Sequence, residues 1–384
     1  MGVPNLLRVM KIEKIEALLI GNGLVVRVYT DDGLSGLGQT ACWGYPEAVE
    51  RIVEKFKDYL IGQNPLRIEH HWQYLYRMSP FRGTALSGAV SAVDLALWDI
   101  KGKYFEVPAW ELLGGKCRDK LRLHLMQDSE TPEGMLAVAK SAVEEGFTAL
   151  KIAPLIEGFQ DMAVDRMVKT VRDLTAAARE GGGPDLDLII EVNRKLTPLT
   201  AVTLAEALAE FNLYFLEDPI QIDSITAQAE IARRINVPVG NGERLCSIWE
   251  FSELLAQGGA QYVRPDVALA GGLTHCKKIA AIAEAHHCAV VTHNFLGPLI
   301  SAASYQLDTC IPNFVTQEYT KDDESEAHAF VKSSWKREGG FMPVSDAPGL
   351  GVQLDEDLID KTPYVPMNDA TTPLREDGSV AFSV

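Results

Sequence analysis

The sequence predicts an α/β protein in which a smaller α+β module precedes a (β/α) barrel, and three observations carry that expectation. Glu191, Glu217, Glu243, Asp266, His293 and Glu318 each close a short apolar run and recur at intervals of 26, 26, 23, 27 and 25 residues. Such an interval holds one strand, one helix and two loops, so it reads as a repeated βα unit with a reactive group at each strand's carboxyl end. The first third of the chain does not share this rhythm. At 384 residues and 47% hydrophobic content, the chain can bury a large core yet exceeds the usual size of one domain. In a closed barrel, all six strand ends converge on one face.

The first module is expected over residues 10–120, with residues 1–9 a ragged extension. Residues 11–40 alternate as strands do, over 12–20 and then 23–30, joined through Gly21-Asn22, and Asp31-Asp32-Gly33 is a second turn sequence because glycine accepts positive φ. Helical patterns follow over 47–61, 66–78 and 84–105, and Gly114-Gly115 punctuates the end.

The barrel is expected over 121–325, with strands at 121–126, 147–153, 186–192, 213–216, 238–242, 262–265, 289–292 and 313–316. Thr131-Pro132-Glu133 starts a helix with a capping hydroxyl, a proline suited to the first turn and an acid that favours the helix dipole. Between strands three and four, Ala201, Leu204, Ala205, Leu208 and Phe211 follow helical spacing, as do Leu273, Cys276, Ile279, Ala280 and Ala283 between six and seven. Gly181-Gly182-Gly183-Pro184 reads as a loop. After 325 the rhythm fades into Gly339-Gly340, Pro343 and Pro348-Gly349, and the segment 326–384 is expected to pack back on the first module.

Composition narrows the partners. With 53 Asp and Glu against 36 Lys and Arg, the formal charge of −17 argues against a nucleic-acid or anionic membrane surface. The same field disfavours an anionic substrate at long range, so a metal ion would have to reverse the sign locally. The six cysteines show no CxxC spacing and read as reduced thiols. No apolar stretch approaches membrane-span length and residues 1–10 lack a signal peptide's apolar segment, so a cytoplasmic protein is expected.

Three strand-end carboxylates, Glu191, Glu217 and Glu243, without Cys or His beside them, suit a hard divalent cation, Mg²⁺ or Mn²⁺. Such an ion keeps positions for two substrate oxygens, for example a carboxylate and its α-hydroxyl, and acidifies the adjacent C–H. His293 can take that proton if Asp266, one βα unit earlier, orients its ring. Lys151, at the end of strand two, could ligate the substrate carboxylate or act as a second base. A single charged strand end is equally well a solvated loop residue or a helix cap, and Lys151 alone is equally well half of a structural ion pair; the weight lies in the ordered set. His286-His287 read as surface or core-edge residues, Trp43, Trp98 and Trp249 as packing, and Asp322-Asp323-Glu324 as a solvated loop.

Several segments then resemble the enolase superfamily, in its mandelate racemase-like branch, and most closely its acid-sugar dehydratases of the D-galactonate type. They are Ser91-Ala92-Val93-Asp94-Leu95-Ala96-Leu97-Trp98-Asp99-Ile100, Leu112-Leu113-Gly114-Gly115, Phe215-Leu216-Glu217-Asp218-Pro219, Gly242-Glu243-Arg244, and the stretches around Asp266, His293 and Gln317-Glu318. The resemblance runs from about residue 10 to 360. It implies a capping α+β domain over a modified TIM barrel, (β/α)7β, with Mg²⁺ on Glu191, Glu217 and Glu243. It also implies His293 as base paired with Asp266, and Glu318 as donor to an enolate oxygen. Cap loops near Trp43-Gly44-Tyr45 and Phe81-Arg82-Gly83 would select the distal end of a small acid-sugar substrate, in a protein that forms a homo-oligomer.

Three positions depart from the pattern. The first metal position is usually Asp and here is Glu191; Ala153 stands where the racemases carry a second lysine; Asn193 stands where galactonate dehydratases carry a histidine. Arg194, Lys195 or His293 would then have to protonate the leaving hydroxyl. The expected activity is Mg²⁺-dependent proton abstraction α to a carboxylate followed by loss of a β-hydroxyl, giving a 2-keto-3-deoxy acid. An epimerase, racemase or cycloisomerase of the same superfamily is the alternative, and a metal- or sugar-acid-binding protein without catalysis is a further one.

Overall fold

The computed structural model describes residues 9–367 and 374–381, so the extension expected over residues 1–9 lies, apart from Val9, outside the described residues. Strands β1 (Ile12–Ile20) and β2 (Gly23–Thr30) form an antiparallel hairpin whose turn contains Gly21 at φ 57°. A third strand, β3 (Ser35–Gln39), follows the Asp31-Asp32-Gly33 turn and was absent from the sequence reading. Its glycines hide the alternation that marks a strand, and packing requires them. A Cβ on Gly36 would stand 2.0 Å from Ala96 O and one on Gly38 1.9 Å from Ala92 O.

Those carbonyls belong to α3 (Thr84–Phe105), which follows α1 (Pro46–Leu60) and α2 (Ile68–Arg77). Most of α3 is buried on all sides because it lies between the sheet and α1 of its own module and a barrel helix, α10 (Gly272–Ala285). A helix hydrophobic all round is the physical signature of such a layer. Short α4 (Ala109–Leu112) then leads to the barrel.

Eight parallel strands form the barrel: β4 (Lys120–Met126), β5 (Ala149–Ile152), β6 (Asp187–Glu191), β7 (Phe215–Glu217), β8 (Val239–Asn241), β9 (Tyr262–Val263), β10 (Ala289–Val290) and β11 (Gln317–Tyr319). They pair in the order β10-β9-β8-β7-β6-β5-β4-β11. The ring closes where Val290 bridges Phe314, with Val290 N donating to Asn313 O at 2.8 Å and Val315 N to Val290 O at 3.2 Å. Between the strands run α5 (Pro132–Glu144), α6 (Val164–Gly182), α7 (Pro198–Leu208), α8 (Ile225–Arg234), α9 (Ile248–Ala256), α10 and α11 (Pro298–Cys310). Among the described residues no such helix follows the last strand, which makes the barrel (β/α)7β.

Three details correct the sequence reading. The eighth strand runs over 317–319 rather than 313–316: the apolar pair Phe314-Val315 touches β10, but pairing with β4 begins at Gln317, so Glu318 lies inside the strand. The expected glycine loop is shorter: Gly181 and Gly182 end α6 and only Gly183-Pro184 turn away from it; a Cβ on Gly181 would meet Leu136 O of α5 at 2.3 Å. Asp322 is buried and accepts a hydrogen bond from Ser301 at 2.9 Å, so the acidic run is not simply solvated.

The C-terminal segment returns to the first module. Gly349 N donates to Val107 O at 3.0 Å, Ala109 N to Gly349 O at 2.9 Å, and Leu350 N to the buried Asp99 at 2.8 Å. Strands β12 (Val331–Ser333) and β14 (Val352–Leu354) pair with each other, while β13 (Phe341–Pro343) adds to the start of β4. Among the described residues, no helix is long and apolar enough to cross a membrane.

Side chains two residues apart on a strand share a face. Ile189, Phe215 and Val291, each two residues before Glu191, Glu217 and His293, pack together as a buried apolar plug inside the barrel. The reactive groups therefore sit one layer above a dry floor, at the carboxyl end of the strands.

Candidate active site and metal centre

Register places the acids side by side. Glu191 and Glu217 are direct partners across the β6–β7 pairing, and Glu243 follows β8 after Gly242, whose φ of 122° turns the chain inward. One oxygen from each of the three lies within 4.8 Å of the others, and their residues are only 2%, 0% and 3% exposed.

Cations lace this cluster together. Lys151 Nζ lies 3.2 Å from Glu191 Oε2 and 3.0 Å from Glu217 Oε1, and it also meets Glu318 Oε1. Arg264, fully buried, places Nε 2.8 Å from Glu217 Oε1 and Nη2 2.8 Å from Glu318 Oε2, an oxygen that also accepts from Asn294 N at 3.1 Å. Arg194 joins Asp218 at 2.8 Å and Glu243, while Arg244 Nε lies 3.1 Å from Glu243 Oε1. Asn193 N donates to Glu191 Oε1 at 2.7 Å; Asn193 and Arg194 both adopt positive φ, 48° and 64°, to turn back over the acid. His293, after β10, stands three strands around the ring from Lys151 of β5. Its Nδ1 is 2.7 Å from Asp266 Oδ2 and its Nε2 3.4 Å from Glu243 Oε2, while Asp266 Oδ1 accepts from Ala268 N at 2.7 Å.

Burial and charge compete at every group. Burial alone would lower the Lys151 pKa, but Glu217, Glu318 and Glu191 together hold it above its ordinary value. Burial likewise opposes ionisation of Glu318, yet Lys151 and Arg264 depress its pKa below the carboxylate range. Glu243 is held down against burial by His293, Arg244 and Arg194. Glu217 goes the other way: burial and the charge of Glu191 outweigh Arg264 and Lys151 and push it well above the ordinary value. Its Oε2 is buried with no hydrogen-bond partner. An orphaned carboxylate oxygen costs free energy unless a cation or donor meets it. Three converging oxygen donors with one left open fit a divalent metal ion of oxygen preference.

Beside the cluster is a cavity of about 220 Å³, reached by Trp43, Met126, Lys151, Glu191, Asn193, Arg194, Glu243, Arg244, His293, Phe295, Glu318 and Met367. Trp43 comes from the first module and meets Phe295 edge to face at 6.1 Å, with the Arg244 guanidinium 6.0 Å from each ring. Tyr45, 72% exposed, lines an adjoining groove that shares Trp43 and Arg244. Arg82 lines neither; its guanidinium stacks 4.4 Å over Tyr76 and donates to Phe81 O at 2.8 Å. Lys195 points its ammonium over Phe159 at 5.3 Å and is not among the cavity residues.

Sequence reasoning passed over Arg264, Met126 and Phe295. A signal for the first existed: Arg264 stands two residues before Asp266, so strand parity aims it inward.

Residues 21–114 match the family described as mandelate racemase/muconate lactonizing enzyme, N-terminal domain, and residues 134–358 match the enolase C-terminal domain-like family. The chain is 34% identical over 346 residues to the D-galactonate dehydratase of Cronobacter sakazakii, covering 88% of this chain and 90% of that protein. It is also 34% identical over 361 residues to the D-galactonate dehydratase of Pectobacterium atrosepticum, at 91% and 94% coverage. Among solved structures, an enolase-superfamily member from Salmonella Typhimurium superposes with TM-score 0.88 at 28% identity, over 92% of this chain and 98% of that one. A mandelate racemase/muconate lactonizing enzyme from a Jannaschia species gives 0.87 at 28% identity, over 93% and 99%.

Proposed function

We propose, since the chain belongs to the mandelate racemase/muconate lactonizing branch of the enolase superfamily, that it is a sugar-acid dehydratase: a Mg²⁺-dependent hydro-lyase that converts an aldonic or aldaric acid to its 2-keto-3-deoxy product. The observation that carries the reading is the buried Glu191, Glu217 and Glu243 cluster facing the His293–Asp266 pair across one small cavity.

Glu191, Glu217 and Glu243 would hold the ion, Mg²⁺ or Mn²⁺. When bound, it would withdraw charge from the substrate carboxylate and acidify the neighbouring C–H. His293 Nε2 takes the α-proton, because Nδ1 is committed to Asp266, which fixes the tautomer and stabilises the imidazolium. Lys151, whose three ammonium protons meet Glu191, Glu217 and Glu318, would turn one to the substrate carboxylate when Glu191 and Glu217 hold the ion. Glu318 is an acceptor in this arrangement, both oxygens being engaged by cations, so the proton offered to the developing enolate oxygen resides on Lys151.

The leaving hydroxyl needs a proton too. Arg194 is tied to two carboxylates and, as a guanidinium, is not a proton donor. Asn193 reaches the cavity and serves to orient the substrate. His293 then performs both steps on one face, returning to the departing hydroxyl the proton it removed. Trp43 and Arg244, with Tyr45 at the adjoining groove, contact the distal end.

The proposal extends to organisation: a cap over 10–120, a barrel over 121–325 and a returning segment over 326–384, in a cytoplasmic homo-oligomer. Six free cysteines support a reducing compartment. Screening aldonic and aldaric acids with Mg²⁺ for semicarbazide-reactive 2-keto acids tests the activity; a fully folded protein that forms none from the panel would contradict it.

A further inference from the structure

Behind the site, Thr292, which precedes His293, meets both Gln317, which precedes Glu318, and Asp308 of α11, and all three are 0% exposed. The Gln317 amide has a fixed orientation, because Nε2 donates to two carbonyls, that of Thr292 at 3.2 Å and that of Glu318 at 2.9 Å. Its Oε1 therefore faces the Thr292 hydroxyl, and an amide oxygen only accepts. Thr292 must donate its single hydroxyl proton to Gln317. The same Thr292 Oγ1 lies 2.9 Å from Asp308 Oδ2. With its proton already committed, Thr292 can only accept there, so that hydrogen belongs to Asp308.

We infer that Asp308 is a protonated carboxylic acid in the native protein, the first donor of a chain Asp308 to Thr292 to Gln317 that fixes the carbonyls beside His293 and Glu318. The surroundings agree. Asp308 Oδ1 has no hydrogen-bond partner, and burial pushes the carboxyl pKa well above its ordinary value. Arg118, whose charge opposes that rise, spends its guanidinium on the backbone carbonyl of Asp308 rather than on the carboxyl. The thiols of Cys276 and Cys310, on which the charge of Asp308 acts, also have pKa values raised by burial, and Lys277 is tied to Cys310 O at 2.7 Å. A carboxylate there would be an uncompensated buried charge. Asp308 does not line the cavity, so it acts as a positioning residue. Its protonation is independent of the proposed reaction; only its kinetic effect rests on that reading.

Asp308→Asn supplies a neutral donor of the same shape, and it should fold with kcat and KM within about threefold of the wild type. Asp308→Leu and Thr292→Val each break the chain; kcat should fall on the order of ten- to hundredfold with KM within about threefold, the mark of misplacement rather than lost binding. The infrared difference spectrum of wild type minus Asp308→Asn, at about pH 8, should contain the C=O stretch of a protonated acid whatever the activity. Carboxylate bands alone, an Asp308→Asn protein that does not fold, or one as impaired as Asp308→Leu would overturn the protonation. Full kcat in both chain-breaking variants would overturn the positioning role and leave the infrared result standing.

Discussion

Glu217 and Arg264 face each other at the sealed centre of the barrel, Oε1 to Nε 2.8 Å, with neither side chain exposed at all. Lys151 approaches the same Oε1, at 3.0 Å, which leaves Oε2 with no hydrogen-bond partner. The two cations thus orient the carboxylate while keeping one oxygen available to an ion shared with Glu191 and Glu243.

Glu217→Gln should fold, because the amide oxygen still accepts from Lys151 and still lies against the Arg264 guanidinium. It should lose turnover and weaken Mg²⁺ binding by at least about tenfold. Titration calorimetry reads the affinity; an unchanged value in a folded variant would reject this ligand set.

Lys151 is 2% exposed and touches three carboxylates. Lys151→Met should leave three buried carboxylates with only Arg264 between two of them, and destabilise the metal-free protein by roughly 3–5 kcal/mol. Mg²⁺ should recover much of that loss by supplying the missing positive charge. Urea unfolding in chelator and in excess Mg²⁺ compares the two conditions, and an equal deficit in both would mean that the lysine does not face the metal position.

His293→Asn should lower turnover by at least about a hundredfold and stop exchange of the α-proton, while Mg²⁺ affinity stays within about threefold. Exchange that persists in this variant but disappears in Lys151→Ala would reverse the roles assigned to the two residues.

Asp94, on α3, accepts from Thr274 N at the start of α10 at 3.1 Å, and burial pushes its pKa from 3.8 up to about 7. A raised folded-state pKa means that the native state binds this proton more tightly than the unfolded chain. Its stabilising contribution is complete below 3.8 and is lost as pH rises through about 7, a change on the order of 4 kcal/mol. Asp94→Asn keeps the acceptor for Thr274 N and removes the titration. Relative to wild type it should gain stability progressively as pH rises from about 4 to about 7, and keep that gain at about pH 8, in chemical denaturation; a constant difference between the two curves would contradict the assignment.

The acid cluster was legible because parallel strands carry their ends to one face, so equal spacing along the chain becomes adjacency in the barrel, as Glu191 and Glu217 show. The Asp266–His293 pair follows from the same rule. Arg264 was hidden because a charge in an apolar strand reads as a solvated end until the barrel's inner parity is known. Strand β3 was hidden because two of its five residues are glycines, chosen for contact with α3 rather than for strand pattern. Arg82 sits in a cap loop, where spacing says nothing about direction, and Tyr76 holds it away from the cavity.

Elimination in place of epimerisation is the central claim, and it rests on one base facing the cavity while Lys151 is bound by three carboxylates and Ala153 offers no second base. Proton NMR of a turned-over sugar acid in D₂O with Mg²⁺ tests it most directly. The account predicts a 2-keto-3-deoxy acid and no epimer. An epimer that accumulates with deuterium at the α-carbon, without keto acid, would contradict it.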